Sequence, residues 1–119
     1  MFVLWYIEFY ETEGGTKPVE DFLKALPKNH EIKANILINR LSQEGNMLRF
    51  PFAKTISGKL KELRIQVSPN IYRIFYFLHT GRKIILVHAF TKKSQEIPRK
   101  EIEIALSRMN EYIRRHKNG

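Results

Sequence analysis

The alternation of apolar and polar positions is clearest between Lys59 and Lys93, where three runs rich in β-branched and aromatic residues follow one another. Turn-forming residues separate these runs at Ser68-Pro69-Asn70 and at Thr80-Gly81-Arg82. Such runs with short turns between them predict an antiparallel meander of three strands. The middle run has large apolar side chains at odd and even positions alike, so we expect it to be covered on both faces and central.

The first half of the chain predicts one further strand and two helices. Residues 2–10 are apolar or aromatic at almost every position, which indicates a strand with both faces covered. Apolar side chains recur at helical spacing over residues 18–26 and again over about 28–44. Pro27 separates the two helices, and Gly45 is expected to cap the second. The positions of the second helix expected to face inward are Ile32, Ile36, Leu37 and Leu41.

A connector and a last helix complete the predicted order. Residues 46–57 contain Pro51 and show no alternation, so we expect a connector that lies against the body of the protein. Pro98 opens a final helix with an apolar stripe. The predicted order is therefore β-α-α-β-β-β-α, an α+β fold with a twisted, mainly antiparallel four-stranded sheet, two N-terminal helices and a C-terminal helix. The length of 119 residues and the even composition predict a single domain over residues 1–119.

Composition narrows the setting in which this chain works. There is no cysteine, which excludes disulfides and thiolate metal sites and fits a reducing compartment. The apolar runs are much shorter than the roughly 20 residues of a membrane span. The first residues also lack the pattern of a signal peptide, so we expect a cytoplasmic protein with no membrane partner.

Positive charge is concentrated in the second half of the chain. The formal net charge is +9, with an isoelectric point near 9.9. Residues 54–119 contain 15 lysines and arginines against 5 glutamates, whereas residues 1–53 contain 6 bases and 7 acids. A one-sided excess of this size favours a polyanionic partner, and nucleic acid above all.

The familiar catalytic motifs are absent. The chain has no cysteine nucleophile, no glycine-rich phosphate loop and no His-Glu-x-x-His sequence. Asp21 is the only aspartate, which argues against a multi-carboxylate magnesium site. We therefore expect neither a metal ion nor a cofactor. The four histidines, whose spacing fits no metal site, are His30, His79, His88 and His116.

The remaining chemistry is cationic. Arg64 and Arg73 share a sheet face if their strands are adjacent, and Lys92 or Lys93 could complete a triangle around a phosphate. Such a site can promote phosphodiester cleavage by orienting the 2′-hydroxyl and stabilising charge on the phosphate oxygens. An alternative for Arg64 is a salt bridge to a glutamate. For Arg73 the alternative is to cover the polar face of the sheet or to pair with a glutamate, and the residues alone do not decide between these interpretations.

Four segments of the second half occur in a specific combination. They are G-K-L-K-E-L-R over residues 58–64, Y-R-I-F-Y-F over 72–77, Gly81 followed by I-I-L-V-H-A-F-T-K-K over 84–93, and Pro98 followed by E-I-E-I-A over 101–105. This combination resembles the phage Gp49-like and HigB-like branch of the RelE/ParE toxin superfamily. The resemblance is strong from about residue 52 onward and before that rests only on the order of elements.

The resemblance implies that the chain is the toxin of a type II toxin–antitoxin system. Toxins of this kind are ribosome-dependent mRNA endonucleases that cut without a metal ion and so inhibit translation. Two partners are implied: mRNA on the ribosome, and a cognate antitoxin, which often carries a helix-turn-helix domain.

Candidate site residues follow from the matched segments position by position. Arg64 and Arg73 match basic positions on the strands, and Lys93 matches the basic residue after the last strand, so the resemblance implies that these three are catalytic. Candidate contacts to RNA or phosphate are Lys61, Lys92 and Arg99. Arg99 stands where some relatives have a proton-transferring tyrosine. The candidates for acid–base catalysis are then His88, His116 and Tyr112.

Two other classes of function remain open. ParE-like toxins of the same superfamily inhibit DNA gyrase and do not cut RNA, and the set of Arg64, Arg73 and Lys93 favours the nuclease over this alternative. The other class is a non-catalytic basic RNA- or DNA-binding protein whose exposed aromatic residues stack on bases. A neighbouring gene for a small helix-turn-helix protein would favour a toxin over such a binding module.

Overall fold

A computed structural model describes residues 4–92 and 96–117 and shows the α+β class predicted from the sequence. A short 3₁₀ turn, Gly45–Met47, follows the second helix. The strands and α-helices are, in chain order, β1 (Tyr6–Phe9), α1 (Pro18–Lys24), α2 (Lys28–Glu44), β2 (Ala53–Ser57), β3 (Leu60–Val67), β4 (Asn70–His79), β5 (Lys83–Lys92) and α3 (Arg99–Arg115).

The described strands form one mixed sheet in the order β1-β5-β4-β3-β2. β1 runs parallel to β5, and the other neighbours are antiparallel. β4 lies at the centre, as predicted. The expectation of four strands is wrong, because β2 forms within the predicted connector. This short edge strand buries Ala53 but leaves Lys54 and Thr55 exposed, so it carries too few apolar residues to show an alternating pattern.

The first strand also differs from its prediction. β1 covers Tyr6–Phe9 only and forms an edge of the sheet, so Tyr6 is exposed and the strand is not covered on both faces. Trp5, just before it, is partly buried against the core. Residues 1–3, part of the predicted strand, lie outside the described residues. The continuous apolar run thus marks a strand but not its position in the sheet.

Each face of the sheet is covered by different helices. The core beneath α1 and α2 includes Leu63, Ile74 and Leu86, and the core beneath α3 includes Phe75 and Phe77. Both N-terminal helices begin where the sequence predicts. In α2, however, Ile32 and Ile36 are exposed, contrary to the prediction. The small side chain of Ala34 permits a close approach between α2 and the sheet. The residues of α2 that are buried against the sheet are Ala34, Leu37, Ile38 and Leu41.

A β-bulge interrupts β5. Val87 is inserted between the residues that pair with Phe75 and Tyr76. The extra residue reverses the alternation, so Phe90 packs with Val87 beneath α3, although the sequence pattern predicts opposite faces for them. The same reversal brings Lys92 to the face of the sheet that carries the basic residues described below.

The last helix agrees with its prediction. α3 begins directly after Pro98, and its apolar stripe packs against the sheet through Ala105, Met109 and Tyr112. Phe77 meets Tyr112 edge to face, with ring centroids 5.7 Å apart. None of the described helices has the length and apolar content needed to cross a lipid bilayer.

Candidate functional site

An open cleft of about 660 Å³ lies where four neighbouring strands each contribute a charged side chain. β2 supplies Lys54, β3 supplies Arg64, β4 supplies Arg73 and β5 supplies Lys92. Alternation along β4 puts Arg73 on the same face as Phe75, which packs beneath α3. The other residues of the lining are Phe50, Pro51, Ala53, Glu62, Pro69 and Ile71.

The two arginines are direct cross-strand neighbours. Arg64 pairs with Arg73 in the antiparallel ladder of β3 and β4, so the two side chains share a face, as the sequence predicts for adjacent strands. The structure also brings Lys92 into the same cleft. Lys93, the third residue predicted to be catalytic, lies outside the described residues.

Arg73 and Glu62 form a buried ion pair at the floor of the cleft. Arg73 Nη1 donates a hydrogen bond to Glu62 Oε2, and the two residues are only 3% and 1% exposed. The sequence left a glutamate partner open for both arginines, and the structure gives such a partner to Arg73. Among the described residues, Arg64 makes no salt bridge, so its charge is available to a ligand.

Two atoms of this buried pair have no hydrogen-bond partner among the described residues. They are Glu62 Oε1 and Arg73 Nε, and both residues line the cleft. Buried polar groups are nearly always hydrogen-bonded, because leaving one unpaired costs about 1–3 kcal/mol. An acceptor and a donor are therefore left unpaired beneath the cleft surface, and both atoms are shielded from solvent.

The cleft has a surplus of positive charge. Burial lowers the pKa of Lys92, and the charges of Arg73, Lys54 and Arg64 lower it further, while Glu62 acts in the opposite direction. These cations repel one another because a single carboxylate cannot balance them. A bound anion would relieve this repulsion, so the arrangement suits a phosphate group.

The sequence did not predict Lys54, Phe50 or Glu62 as site residues, although all three line the cleft. Lys54 and Phe50 fall in the predicted connector, where no periodicity indicated which way they point. Alternation along β3 predicts that Glu62 lies on the same face as Arg64. In the sheet, Glu62 pairs with Phe75, which is two residues from Arg73 along β4. That alternation was the available signal for Glu62, but it could not indicate burial or the choice of partner.

A family model described as phage-derived protein Gp49-like (DUF891) matches residues 21–110, which is most of the chain. The chain belongs to the Gp49-like family. This family lies within the RelE/HigB-like toxin branch, as the sequence motifs indicate. A comparison with curated proteins found no match. All residues that line the cleft fall within the matched range, so the cleft belongs to the Gp49-like part of the chain.

Two predicted phosphate contacts of this Gp49-like protein lie away from the cleft. Lys61 pairs with Tyr76, whose side chain belongs to the core beneath α1 and α2, so Lys61 is on the opposite face of β3 from Arg64. Arg99 is highly exposed at the start of α3, where its Nε lies 3.9 Å from Glu103 Oε2. Neither residue lines the cleft.

His88, a candidate acid–base residue, has both ring nitrogens engaged within the Gp49-like protein. Its Nε2 lies 2.6 Å from Glu101 Oε1, and its Nδ1 lies 3.2 Å from Arg108 Nη1. Burial lowers the pKa of His88, Arg108 adds to that effect, and Glu101 opposes it. These contacts fit a neutral ring that donates from Nε2 and accepts at Nδ1, and His88 does not line the cleft.

His116 and Tyr112, the other acid–base candidates, lie at a different cavity. That cavity has a volume of about 520 Å³ and shares no lining residue with the cleft. The two rings stack, with centroids 3.9 Å apart. Burial raises the pKa of Tyr112, and nearby Glu8 raises it further. Within residues 4–92 and 96–117, no cluster of three histidine or acidic side chains could hold a metal ion.

Proposed function

We propose that this Gp49-like protein is the toxin of a type II toxin–antitoxin pair and inhibits translation by cutting mRNA on the ribosome. The observation that carries the proposal is the convergence of Lys54, Arg64, Arg73 and Lys92 on one cleft around the buried Glu62. Membership of the family supports the toxin class. The surplus of positive charge supports a phosphodiester substrate.

Arg64 and Lys92 bind the phosphate at the cut position in this proposal. The guanidinium of Arg64 offers a planar pair of donors that matches two phosphate oxygens, and the ammonium of Lys92 adds a point charge. Both side chains are half-buried, and lower solvent exposure strengthens such contacts. Lys93, which follows Lys92 directly in the sequence, is proposed to assist in the same task.

Arg73 acts from the floor of the cleft. Because Glu62 holds its guanidinium in place, the positive charge of Arg73 is oriented before any substrate binds. Its Nε is buried and has no partner among the described residues, so it can donate to a phosphate oxygen only after RNA entry has exposed it. Each preorganised donor of this kind contributes roughly 10²–10³ in rate.

The proposed reaction is an in-line attack by the 2′-hydroxyl on its neighbouring phosphate. Entry of RNA must first expose Glu62 Oε1, which is shielded from solvent in the free protein. Glu62 Oε1 then takes the proton of that hydroxyl, the bond from O2′ to phosphorus forms, and the bond from phosphorus to O5′ breaks. Lys92 gives a proton to the departing O5′, a role favoured because burial and nearby cations lower its pKa. The products are a 2′,3′-cyclic phosphate and a 5′-hydroxyl end.

Neutralisation by the antitoxin follows from the same cleft. An acidic segment laid over Arg64 and Lys92 would exclude RNA and remove the repulsion among the cations. We therefore propose that the antitoxin occludes the cleft directly. Hydrogen exchange in the complex should show protection around β2–β5 at the cleft, and protection confined to α1 and α2 would contradict direct occlusion.

The decisive experiment maps the 5′ ends of transcripts after incubation of ribosome-bound mRNA with purified protein. Wild-type protein should cut the message, and Arg64→Ala should cut at least about a hundredfold more slowly. Glu62→Gln also removes the charge that balances buried Arg73, so its folding is checked first by thermal melting. The folded fraction should retain RNA binding and lose cleavage, because the amide keeps the shape of the side chain and cannot take the proton. Lys61→Ala is the matched control, since it removes a cation from the opposite face of the same strand.

Two results would overturn the proposal. Intact transcripts in the presence of folded wild-type protein and ribosomes would exclude the nuclease. Inhibition of DNA supercoiling by that same preparation would instead place the protein with the ParE-like gyrase inhibitors.

A further inference from the structure

Phe50 is the most exposed large apolar side chain in the described part of the chain, at 80%. It lines the cleft beside the cationic residues. The two nearest large apolar residues of the connector behave differently, because Leu48 is buried and Phe52 packs against the core beneath α1 and α2. The exposed ring of Phe50 therefore contributes nothing to the packing of this segment.

A hydrogen-bonded turn holds Phe50 at the edge of the cleft. The backbone nitrogens of Phe52 and Ala53 both donate to the carbonyl oxygen of Arg49, at 3.0 and 3.1 Å. The backbone nitrogen of Arg64 donates to the carbonyl oxygen of Phe52 at 2.8 Å, which ties the turn to β3. The backbone that carries the aromatic ring is thus held at a fixed position relative to β3 and Arg64.

We infer that Phe50 is a stacking platform for a base of single-stranded RNA whose phosphate lies among Lys54, Arg64 and Lys92. The inference rests on the proposed RNA-binding function and adds a residue that positions the substrate. A nucleotide joins a flat ring to an anionic phosphate, and this pairing matches a flat apolar ring beside a cluster of cations.

The stacking role also defines the form of the RNA. A base within a duplex is already covered on both faces by its neighbours, so only an unpaired base can cover the ring of Phe50. Every base has a π-face, so stacking provides affinity and position with little choice of sequence. A phenylalanine ring has only two side-chain torsions to fix, which keeps the entropic cost of this contact low.

The test compares two probes of equal length: a short single-stranded RNA, and the same ribose-phosphate backbone without bases. Phe50→Ala should weaken binding of the RNA about tenfold, within a range of about 5- to 150-fold, and leave binding of the baseless probe unchanged. Phe50→Trp should restore the affinity. Met47→Ala is the matched control, because Met47 is 63% exposed and does not line the cleft.

The outcomes separate this inference from the proposed function. If Arg64→Ala weakens both probes but Phe50→Ala weakens neither, the phosphate site stands and the stacking role is wrong. If Phe50→Ala weakens both probes equally, the ring contributes to the shape of the cleft and does not stack on a base. If Arg64→Ala changes neither probe, the RNA site itself fails and the stacking role fails with it.

Discussion

The buried pair of Arg73 and Glu62 makes Arg73 a structural residue as well as a candidate for catalysis. Removing one partner of a buried ion pair leaves an uncompensated charge, which typically costs about 3–5 kcal/mol. We expect Arg73→Ala to lower the free energy of unfolding by about that amount, measured by urea denaturation. An unchanged denaturation midpoint would show that the pair contributes little to stability.

A double variant separates the structural role of the Arg73–Glu62 pair from its catalytic role. Replacing both partners with apolar residues of similar size, as in Glu62→Leu with Arg73→Met, should recover most of the lost stability, because no charge remains buried without a partner. RNA cleavage should not recover in that variant. Activity lost by a single variant of either partner could otherwise reflect unfolding alone.

His88 makes the stability of the fold dependent on pH. Burial lowers the pKa of His88 from its usual 6.5, with Arg108 acting in the same direction and Glu101 against it. As the pH falls below 6.5, the unfolded chain therefore takes up the proton before the folded chain does, and the free energy of unfolding falls.

The measurement is urea denaturation at a series of pH values. His88→Gln should show a smaller loss of stability below pH 6.5 than the wild type. Burial also lowers the pKa of His79, so a residual loss of the same sign should remain. A steeper loss in the variant would mean that the charged form of His88 is favoured in the folded state.

At the residue scale, the sequence predicts charges on regular strands well. Arg64 and Arg73 were placed on one face because period-two alternation holds along β3 and β4. Lys54 and Phe50 could not be placed, since a connector has no period to extrapolate. The burial of Glu62 depends on how neighbouring strands cover it, which is a property of the assembled sheet.

Among the elements, the end of α2 is closely fitted to Trp5, the residue just before the first strand. Gly45 has φ of +51°, and a Cβ there would overlap the indole ring of Trp5. Gly58 has a similar φ of +56° but no atom within 4 Å of its Cβ position. The two glycines therefore differ in steric contact and not in the sign of φ.

This difference gives a matched pair of variants. Gly58→Ala should lower the free energy of unfolding by about 1 kcal/mol through backbone strain alone. Gly45→Ala should cost more, at least about 2 kcal/mol, because the overlap with Trp5 adds to that strain. Equal losses, measured by chemical denaturation, would show that Trp5 moves aside freely.

The elements found from the sequence are those with a long, regular apolar pattern. The bounds of α2, the start of α3 and the position of the central strand β4 were predicted close to those observed. β2 was missed because a five-residue edge strand with one buried side chain gives almost no pattern. The bulge at Val87 was missed because the extra residue is recognisable only from its pairing with β4.

For the whole molecule, the net charge of +9 raises the question of which cations matter for RNA binding. The affinity for single-stranded RNA should fall with salt, with a slope of about −0.7 for each phosphate contact. Lys54→Ala should make this slope shallower by about 0.7, since Lys54 lines the cleft.

Lys61→Ala removes the same unit of charge from the other face of the sheet. We expect its salt slope to match the wild type, as measured by RNA titrations at several salt concentrations. If both variants change the slope equally, RNA binds through the overall charge of the Gp49-like protein and not through the cleft.

The bulge at Val87 also bears on which changes of chain length the family can tolerate. If any one residue between Val87 and Thr91 is deleted, the ladder can straighten by losing the bulge, and Lys92 still pairs with Ile71. A single insertion in the same segment cannot be absorbed by losing the bulge, because β5 would then contain two extra residues relative to β4. We therefore expect single deletions here to be easier to accept during divergence than single insertions.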